Sequence, residues 1–167
     1  MSTLTIRQAK LYDVPALARI ERDSFARPWS AEEITREIVK NEKAFVAVAE
    51  LGGETAGYAD MWIVAGEAQL FNIVVAPEYR GMGIGSILLR YMAETAARAG
   101  CRNMTLEVRR SNEPAISMYR KGGFHDSGLR KGYYSDNHED AVLMDREITP
   151  EDAIEGSGDL EVEIETV

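Results

Sequence analysis

The clearest chemical signal in the sequence is a glycine-spaced run, Arg80-Gly81-Met82-Gly83-Ile84-Gly85, followed by Ser86. It lies between an apolar strand, Leu70 to Val75, with Pro77 just beyond, and a stretch where Ile84, Ile87, Leu88, Tyr91, Met92 and Ala96 recur at helical spacing. Glycines let a backbone approach a ligand closely, and a helix start adds unpaired N–H groups and the positive end of the helix dipole. Such a strand–loop–helix unit is an anion cradle suited to phosphate. Two familiar phosphate loops are excluded by spacing. A Walker A loop requires a lysine after its last glycine, and none follows here. A dinucleotide loop requires Gly-x-Gly-x-x-Gly, whereas these glycines fall at 81, 83 and 85. Alone, the run could equally be a tight strand-to-helix connection.

The elements that must position this loop are legible from periodicity. Residues Thr3–Gln8 alternate as a half-buried strand does. Asp13, followed by Pro15, is placed to cap a helix with Val14, Leu17 and Ile20 on its inner face. Arg27-Pro28-Trp29 breaks that pattern, and Ser30-Ala31-Glu32-Glu33 is a capping box opening a second helix with Ile34 and Ile38 on one side. Ala44–Leu51 and Thr55–Val64 read as strands joined by a turn at Gly52-Gly53. After the glycine loop and its helix comes Gly100, a suitable stop. In Asn103–Arg109, residues Met104, Leu106 and Val108 face one way and Thr105, Glu107 and Arg109 the other. Ser111-Asn112-Glu113-Pro114 opens a short helix carrying Ala115, Ile116 and Tyr119, which Gly122-Gly123 ends. Phe124–Tyr134 and Ala141–Ile148 are the last two strands, joined through Ser135-Asp136-Asn137-His138. The order β-α-α-β-β-β-α-β-α-β-β defines an α/β class with a mixed sheet and helices on its faces.

The chain of 167 residues is the size of one domain. No apolar run approaches the ~18 residues of a membrane span, and the N-terminus lacks the pattern of a signal or transit peptide. One cysteine, Cys101, cannot form an internal disulfide, which fits a reducing cytoplasm. Two histidines and that cysteine, scattered, argue against a zinc site, so no metal is expected. The net charge of −9 is unevenly spread: Glu151 to Val167 holds seven acids and no base, leaving 21 acids against 19 bases before it. Residues 1–149 are therefore expected to form the domain, and 150–167 a disordered acidic tail. Neither nucleic acid nor membrane is indicated as a partner.

Arg80-x-x-Gly83-x-Gly85 resembles the pyrophosphate-binding signature of the GNAT acetyltransferases, Gln/Arg-x-x-Gly-x-Gly/Ala, and the element order is similar to the GNAT fold, a mixed sheet of about seven strands with helices on both faces. Leu106-Glu107-Val108-Arg109-Arg110-Ser111-Asn112-Glu113-Pro114-Ala115-Ile116-Ser117-Met118-Tyr119 resembles a segment of the N-terminal acetyltransferases. Phe25-Ala26-Arg27-Pro28-Trp29-Ser30, and Arg130-Lys131-Gly132-Tyr133-Tyr134 with Glu139-Asp140-Ala141-Val142-Leu143-Met144 behind it, are similar to the RimI-type ribosomal-protein alanine N-acetyltransferases. Four separated motifs in one order, spanning about residues 4–148, are far more specific than the glycine loop alone.

The resemblance implies acetyl-CoA as acyl donor and the N-terminus of a protein, such as a ribosomal protein, as acceptor. It implies that Ile73, Val74 and Val75 bond the pantetheine through their backbones. Arg80, Gly81, Met82, Gly83, Ile84, Gly85 and Ser86 would hold the pyrophosphate, with Asn112 contacting the donor further along. Glu107 falls at the position of the proton acceptor and Tyr119 at that of the proton donor, while Trp29, Tyr133 and Tyr134 fall in loops that frame the peptide. Acetyl transfer needs a neutral amine, a stabilised oxyanion and a protonated leaving thiolate. An α-amine, of pKa roughly 7.7–8.0 against about 10.4 for lysine, asks only modest help of a carboxylate. Backbone N–H groups near Val74 could serve the oxyanion, and a neutral tyrosine can serve the thiolate. Direct transfer in a ternary complex is expected; an acyl-Cys101 route lacks an evident base.

Each assignment has a structural rival. Glu107, flanked by arginines, could be an ion pair, and Tyr119 could be core packing beside Ile116. Arg109, Arg110, Arg130 and Lys131 could simply neutralise nearby acids, and Trp29, Tyr133 and Tyr134 could be packing aromatics. His125 and His138 are expected to have no catalytic part. Three other functions stay open: a broader NatA-like N-terminal acetyltransferase, an enzyme acetylating lysine or a small amine, and a non-catalytic acyl-CoA sensor.

Overall fold

A computed structural model describes residues 1–153 and 158–165. Its strands are β1 (Ser2–Gln8), β2 (Ala44–Leu51), β3 (Glu54–Val64), β4 (Glu67–Val75), β5 (Asn103–Arg109), β6 (His125–Arg130), β7 (Ala141–Glu147) and β8 (Leu160–Ile164). The helices are α1 (Val14–Ser24), α2 (Ala31–Val39), α3 (Ile84–Arg98) and α4 (Glu113–Lys121). One mixed sheet takes the order β6-β7-β5-β4-β3-β2-β1-β8.

Strand alternation sends side chains to two cores. On one face Ala47, Ala49, Met61, Leu70, Leu106 and Met144 pack against α3 and α4, with Leu88 and Met92 fully buried. On the other, Val46, Val48, Tyr58 and Val74 meet Leu17, Ile20 and Ile34 of α1 and α2. Covering both faces is what the expected GNAT arrangement requires. The α2 start is the anticipated capping box: Glu33 N–H donates to Ser30 Oγ at 3.1 Å and the Ser30 N–H to Glu33 Oε1 at 3.4 Å.

Asp13 departs from expectation. It stands at the N-cap position of α1 but makes no side-chain cap there. Its carboxylate instead pairs with the Arg7 guanidinium at 2.8 Å on both oxygens and accepts the Lys10 N–H at 2.7 Å. A bidentate arginine offers a buried carboxylate more than a single helix N–H does. The expected strand 124–134 is also shorter, ending at Arg130, so that Lys131–Asp140 forms a loop.

The tail expectation needs correction. Leu160, Val162 and Ile164 alternate with exposed acids, and β8 pairs antiparallel with β1 from Ser2↔Ile164 to Ile6↔Leu160. The alternation lets a strongly acidic segment bury one face and cover an otherwise open sheet edge, making an eighth strand. Residues 154–157 and 166–167 of the expected tail lie outside the described residues.

One pair of strands matters most. β4 and β5 are the only parallel neighbours among the described strands, and their register runs from Glu67↔Asn103 only to Leu70↔Leu106. Asp60 pairs with Asn72 and Met61 with Leu70, so Phe71 is an extra residue on β4. Such a bulge bends the strand that carries it. Beyond it β4 stays with β3, and β5 with β7, leaving a wedge between them.

Candidate active site

The donor side of the wedge is built by backbone. Ile73, Val74 and Val75 pair with Ala59, Tyr58 and Gly57 of β3 and have no register partner on the β5 side. This open ladder could take hydrogen bonds from an extended amide-bearing chain. One acceptor there is already engaged, since Arg80 Nε donates to the Val75 carbonyl at 3.1 Å. Arg80 thus ties the loop back onto β4.

The loop then enters α3. Gly81 and Gly83 each have φ of 82°, a conformation that a β-carbon would strain, and a β-carbon built on either meets nothing within 4 Å. Gly83 is the N-cap; no side chain caps α3, and its first turn holds no acid. The leading N–H groups are therefore free to meet an anion. A cleft of about 340 Å³ lies over the loop, bounded by Ile73, Val75, Arg80, Gly85, Ala115 and Met118. Space, donors and the absence of an acid fit the pyrophosphate and pantetheine of acetyl-CoA.

The remaining members of the expected anion site differ in what they offer. Ile84 is 1% exposed, so only its backbone can face a ligand, whereas Met82 is partly buried against the core. Ser86 lies on a neighbouring cavity with Arg90 and Lys121. Asn112 spends its side-chain oxygen capping α4, accepting the Ala115 N–H at 3.3 Å, which leaves its amide nitrogen available.

Across the wedge, β5 presents Glu107 and Arg109 on one face. Glu107 Oε1 lies 3.5 Å from Arg130 Nε, and the nearby Glu107 carboxylate raises the pKa of the Tyr133 hydroxyl. Tyr119 of α4 is buried beside Phe124, with ring centroids 5.8 Å apart. Burial, then the field of Tyr134, pushes its hydroxyl up to about 12. Burial raises the Tyr134 hydroxyl as well, with Arg109 opposing the shift and the Glu107 charge adding to it.

Two loops frame an adjoining cavity of about 390 Å³, bordered by Trp29, Phe25, Asn72, Arg109, Tyr134 and Asp136. Arg109 holds one side together: its guanidinium stacks 4.0 Å from the Tyr134 ring centroid and pairs with Asp136 at 3.0 Å. Ser111 Oγ donates to Glu139 at 2.6 Å, and Asp140 accepts the Gly132 N–H at 2.9 Å. The first bond straps the 131–140 loop to the β5–α4 segment, and the second closes the loop on itself. Of the three expected acceptor-site aromatics, Trp29 and Tyr134 border the cavity, whereas Tyr133 stands beside Glu107.

Sequence inspection missed four contributors: Glu21 and Asn72, which line the cavity, Asp136, and Gly57. A β-carbon on Gly57 would lie 2.5 Å from the Val74 carbonyl oxygen. Glu21 had a detectable signal, because position 21 follows Leu17 by four residues and so shares the buried face of α1. The role of Gly57 depends on the neighbouring strand and had none. Among the described residues no cluster of three or more potential metal ligands occurs, and no helix is long and apolar enough to cross a membrane.

This wedge, with an anion loop on one side and a carboxylate and tyrosine on the other, belongs to the chemistry of acyl transfer from coenzyme A. The Acetyltransferase (GNAT) family model matches residues 14–124, and the chain belongs to that family of acetyl-CoA-dependent N-acetyltransferases. Among its relatives, a Bacillus subtilis protein provisionally described as a [ribosomal protein bS18]-alanine N-acetyltransferase is 41% identical over 83% of this chain and 92% of that one. The Escherichia coli (strain K12) [ribosomal protein bS18]-alanine N-acetyltransferase is 34% identical over 84% of this chain and 95% of its own length. The crystal structure of the ribosomal-protein-S18-alanine N-acetyltransferase from Escherichia coli superposes with a TM-score of 0.80 at 33% identity, covering 92% of this chain and 96% of that one.

Proposed function

We propose that the protein acetylates the α-amine of a protein N-terminus, with an alanine-starting ribosomal protein of the bS18 type as the acceptor. What carries this reading is the similarity to two proteins described as bS18-alanine N-acetyltransferases over more than nine-tenths of their own length.

Acetyl-CoA supplies an activated acyl carbon as a thioester. In the proposed mechanism Ile73–Val75 hold the donor in the wedge and the α3 N-terminus holds its pyrophosphate, with Arg80–Ser86 as the cradle. Asn112 adds its amide. Trp29, Tyr133 and Tyr134 orient the peptide. The acceptor α-amine loses a proton to Glu107, directly or through one water, as it attacks the carbonyl. A backbone N–H near Val74 stabilises the developing oxyanion. Tyr119 serves the departing sulfur. With its pKa near 12, against about 8.5 for an ordinary thiol, full transfer to the thiolate is uphill, so its main contribution is a hydrogen bond to the developing charge.

The test is an acetylation assay with acetyl-CoA and peptides beginning Ala, Ser or Met, each also carrying an internal lysine, with the acetylated atom located by mass spectrometry. The expected result is α-amine modification with Ala preferred. Equal rates on all three would replace this reading by the NatA-like one, and modification of lysine alone would overturn it.

A further inference from the structure

Glu21 is a buried acid that the helix carrying it does not need. It is 2% exposed and sits in the last turn of α1, where a negative charge opposes the helix dipole. No arginine or lysine forms a salt bridge with it among the described residues, so its burial is offset only by hydrogen bonds. Both of those are specific. Glu21 Oε1 accepts the Trp29 backbone N–H at 2.9 Å, and Oε2 accepts the Tyr58 hydroxyl at 2.6 Å.

The two donors belong to different parts of the site. Trp29 lies in the non-helical loop between α1 and α2, where its N–H has no ladder or helix to join. Tyr58 is 3% exposed on β3 and is the register partner of Val74. One carboxylate therefore pins the loop over the acceptor cavity to the strand that backs the donor wedge, and it borders that cavity itself.

We propose that Glu21 is the positioning residue of the acceptor site: it fixes the Phe25–Ser30 loop, and Trp29 with it, in the conformation that receives the peptide. The assignment rests on the acceptor reading above. It predicts a defect in peptide binding separate from donor binding. Alanine removes both bonds, whereas glutamine restores them, since its carbonyl can accept from Trp29 and its amide can donate to the Tyr58 oxygen.

The experiment compares Glu21→Ala, Glu21→Gln and Tyr58→Phe in the full chain, measuring KM for an Ala-starting peptide, KM for acetyl-CoA, kcat, and hydrogen exchange at the Trp29 amide. For Glu21→Ala the peptide KM should rise about tenfold or more, with acetyl-CoA KM within about twofold, kcat within about threefold, and Trp29 exchange about tenfold faster. Glu21→Gln should stay near wild type on all four. Unchanged peptide KM and Trp29 exchange in a Glu21→Ala protein that still binds acetyl-CoA would overturn the proposal, as would a parallel rise in both KM values. If Glu21→Ala does not fold, Tyr58→Phe decides, because unchanged Trp29 exchange there removes the coupling. If the wild-type protein acetylates no peptide, the acceptor reading fails, while Trp29 exchange still tests the positioning.

Discussion

Leu70 of β4 and Leu106 of β5 are the last register partners of the two strands, and the wedge begins immediately beyond them. The strand backbone and the glycine loop assigned to donor binding lie on the β4 side, and Glu107 is the next residue on the β5 side, with Asn112 further along. The extra residue Phe71 is the local cause, because it turns β4 away while β3 stays paired with it. Parallel pairing demands a crossover, and α3 provides it, which is why the helix N-terminus arrives at the open end of β4.

Glu107→Gln keeps the shape of the side chain and removes the base. Turnover on an Ala-starting peptide should fall roughly a hundredfold or more at pH 7, with acetyl-CoA affinity unchanged by titration calorimetry. The loss should shrink at alkaline pH, where more of the α-amine is already neutral. Near wild-type kcat across the range would return Glu107 to being only a partner of Arg130.

Gly57→Ala tests the donor wall from behind. The added carbon would sit 2.5 Å from the Val74 carbonyl oxygen and 3.3 Å from the Val75 Cα, both backbone atoms that cannot swing aside. Overpacking of this kind costs about 1–3 kcal/mol. A lowered melting temperature together with weaker acetyl-CoA binding is expected. A loss of stability with donor affinity intact would show that the wall tolerates the shift.

Asp60→Asn should alter how stability depends on pH. Burial, then the adjacent Glu37 carboxylate, pushes the Asp60 carboxyl up to about 9 from 3.8. Folding then takes up a proton between those values, so this contribution is fully present below about 3.8 and is lost as pH rises through 9. Glu37 runs the other way: burial raises it, but the neighbouring Asp60 carboxyl and the hydrogen bonds from Trp62 and Asn41 win and lower it, so its contribution is lost as pH falls. Asparagine can donate to Glu37 without needing that proton. Melting curves from pH 5 to 9 should show the variant gaining most at the alkaline end; an equal shift at every pH would count against a shared proton.

Removing the chain from residue 158 onward should expose the β1 edge. Leu160 and Ile164 pack against the main core, so a modest fall in melting temperature is expected, with increased self-association by light scattering. Because β8 lies at the far end of the sheet from the β4–β5 wedge, acetyl-CoA affinity should not change.

Local chemistry accounts for what could be read in advance. The Ser30–Glu33 capping box, the alternation of Met104, Leu106 and Val108, and the helix opening at Gly83 each depend on residues within a turn or two of one another. Their outcome is set before the rest of the chain folds. Asp13 shows the limit of that logic, since its local role as a cap lost to Arg7, a residue on the neighbouring strand. The acidic tail failed similarly: its composition suggested disorder, but its two-residue alternation had an open edge at β1 to join.

The sequence by itself determined the element order, the two faces of each strand and helix, the glycine loop, and a family resemblance that placed Glu107 and Tyr119 in one chemical scheme. Only the tertiary structure decided that β4 and β5 part after Leu70 and Leu106, that Arg109 stacks on Tyr134, and that Glu21 accepts hydrogen bonds from both the Trp29 N–H and the Tyr58 hydroxyl. Those relationships join residues 37 or more positions apart, or different elements, through hydrogen bonds and fields that act over a few ångströms in space. Spacing along the chain carries no record of such distances until the sheet has brought the elements together.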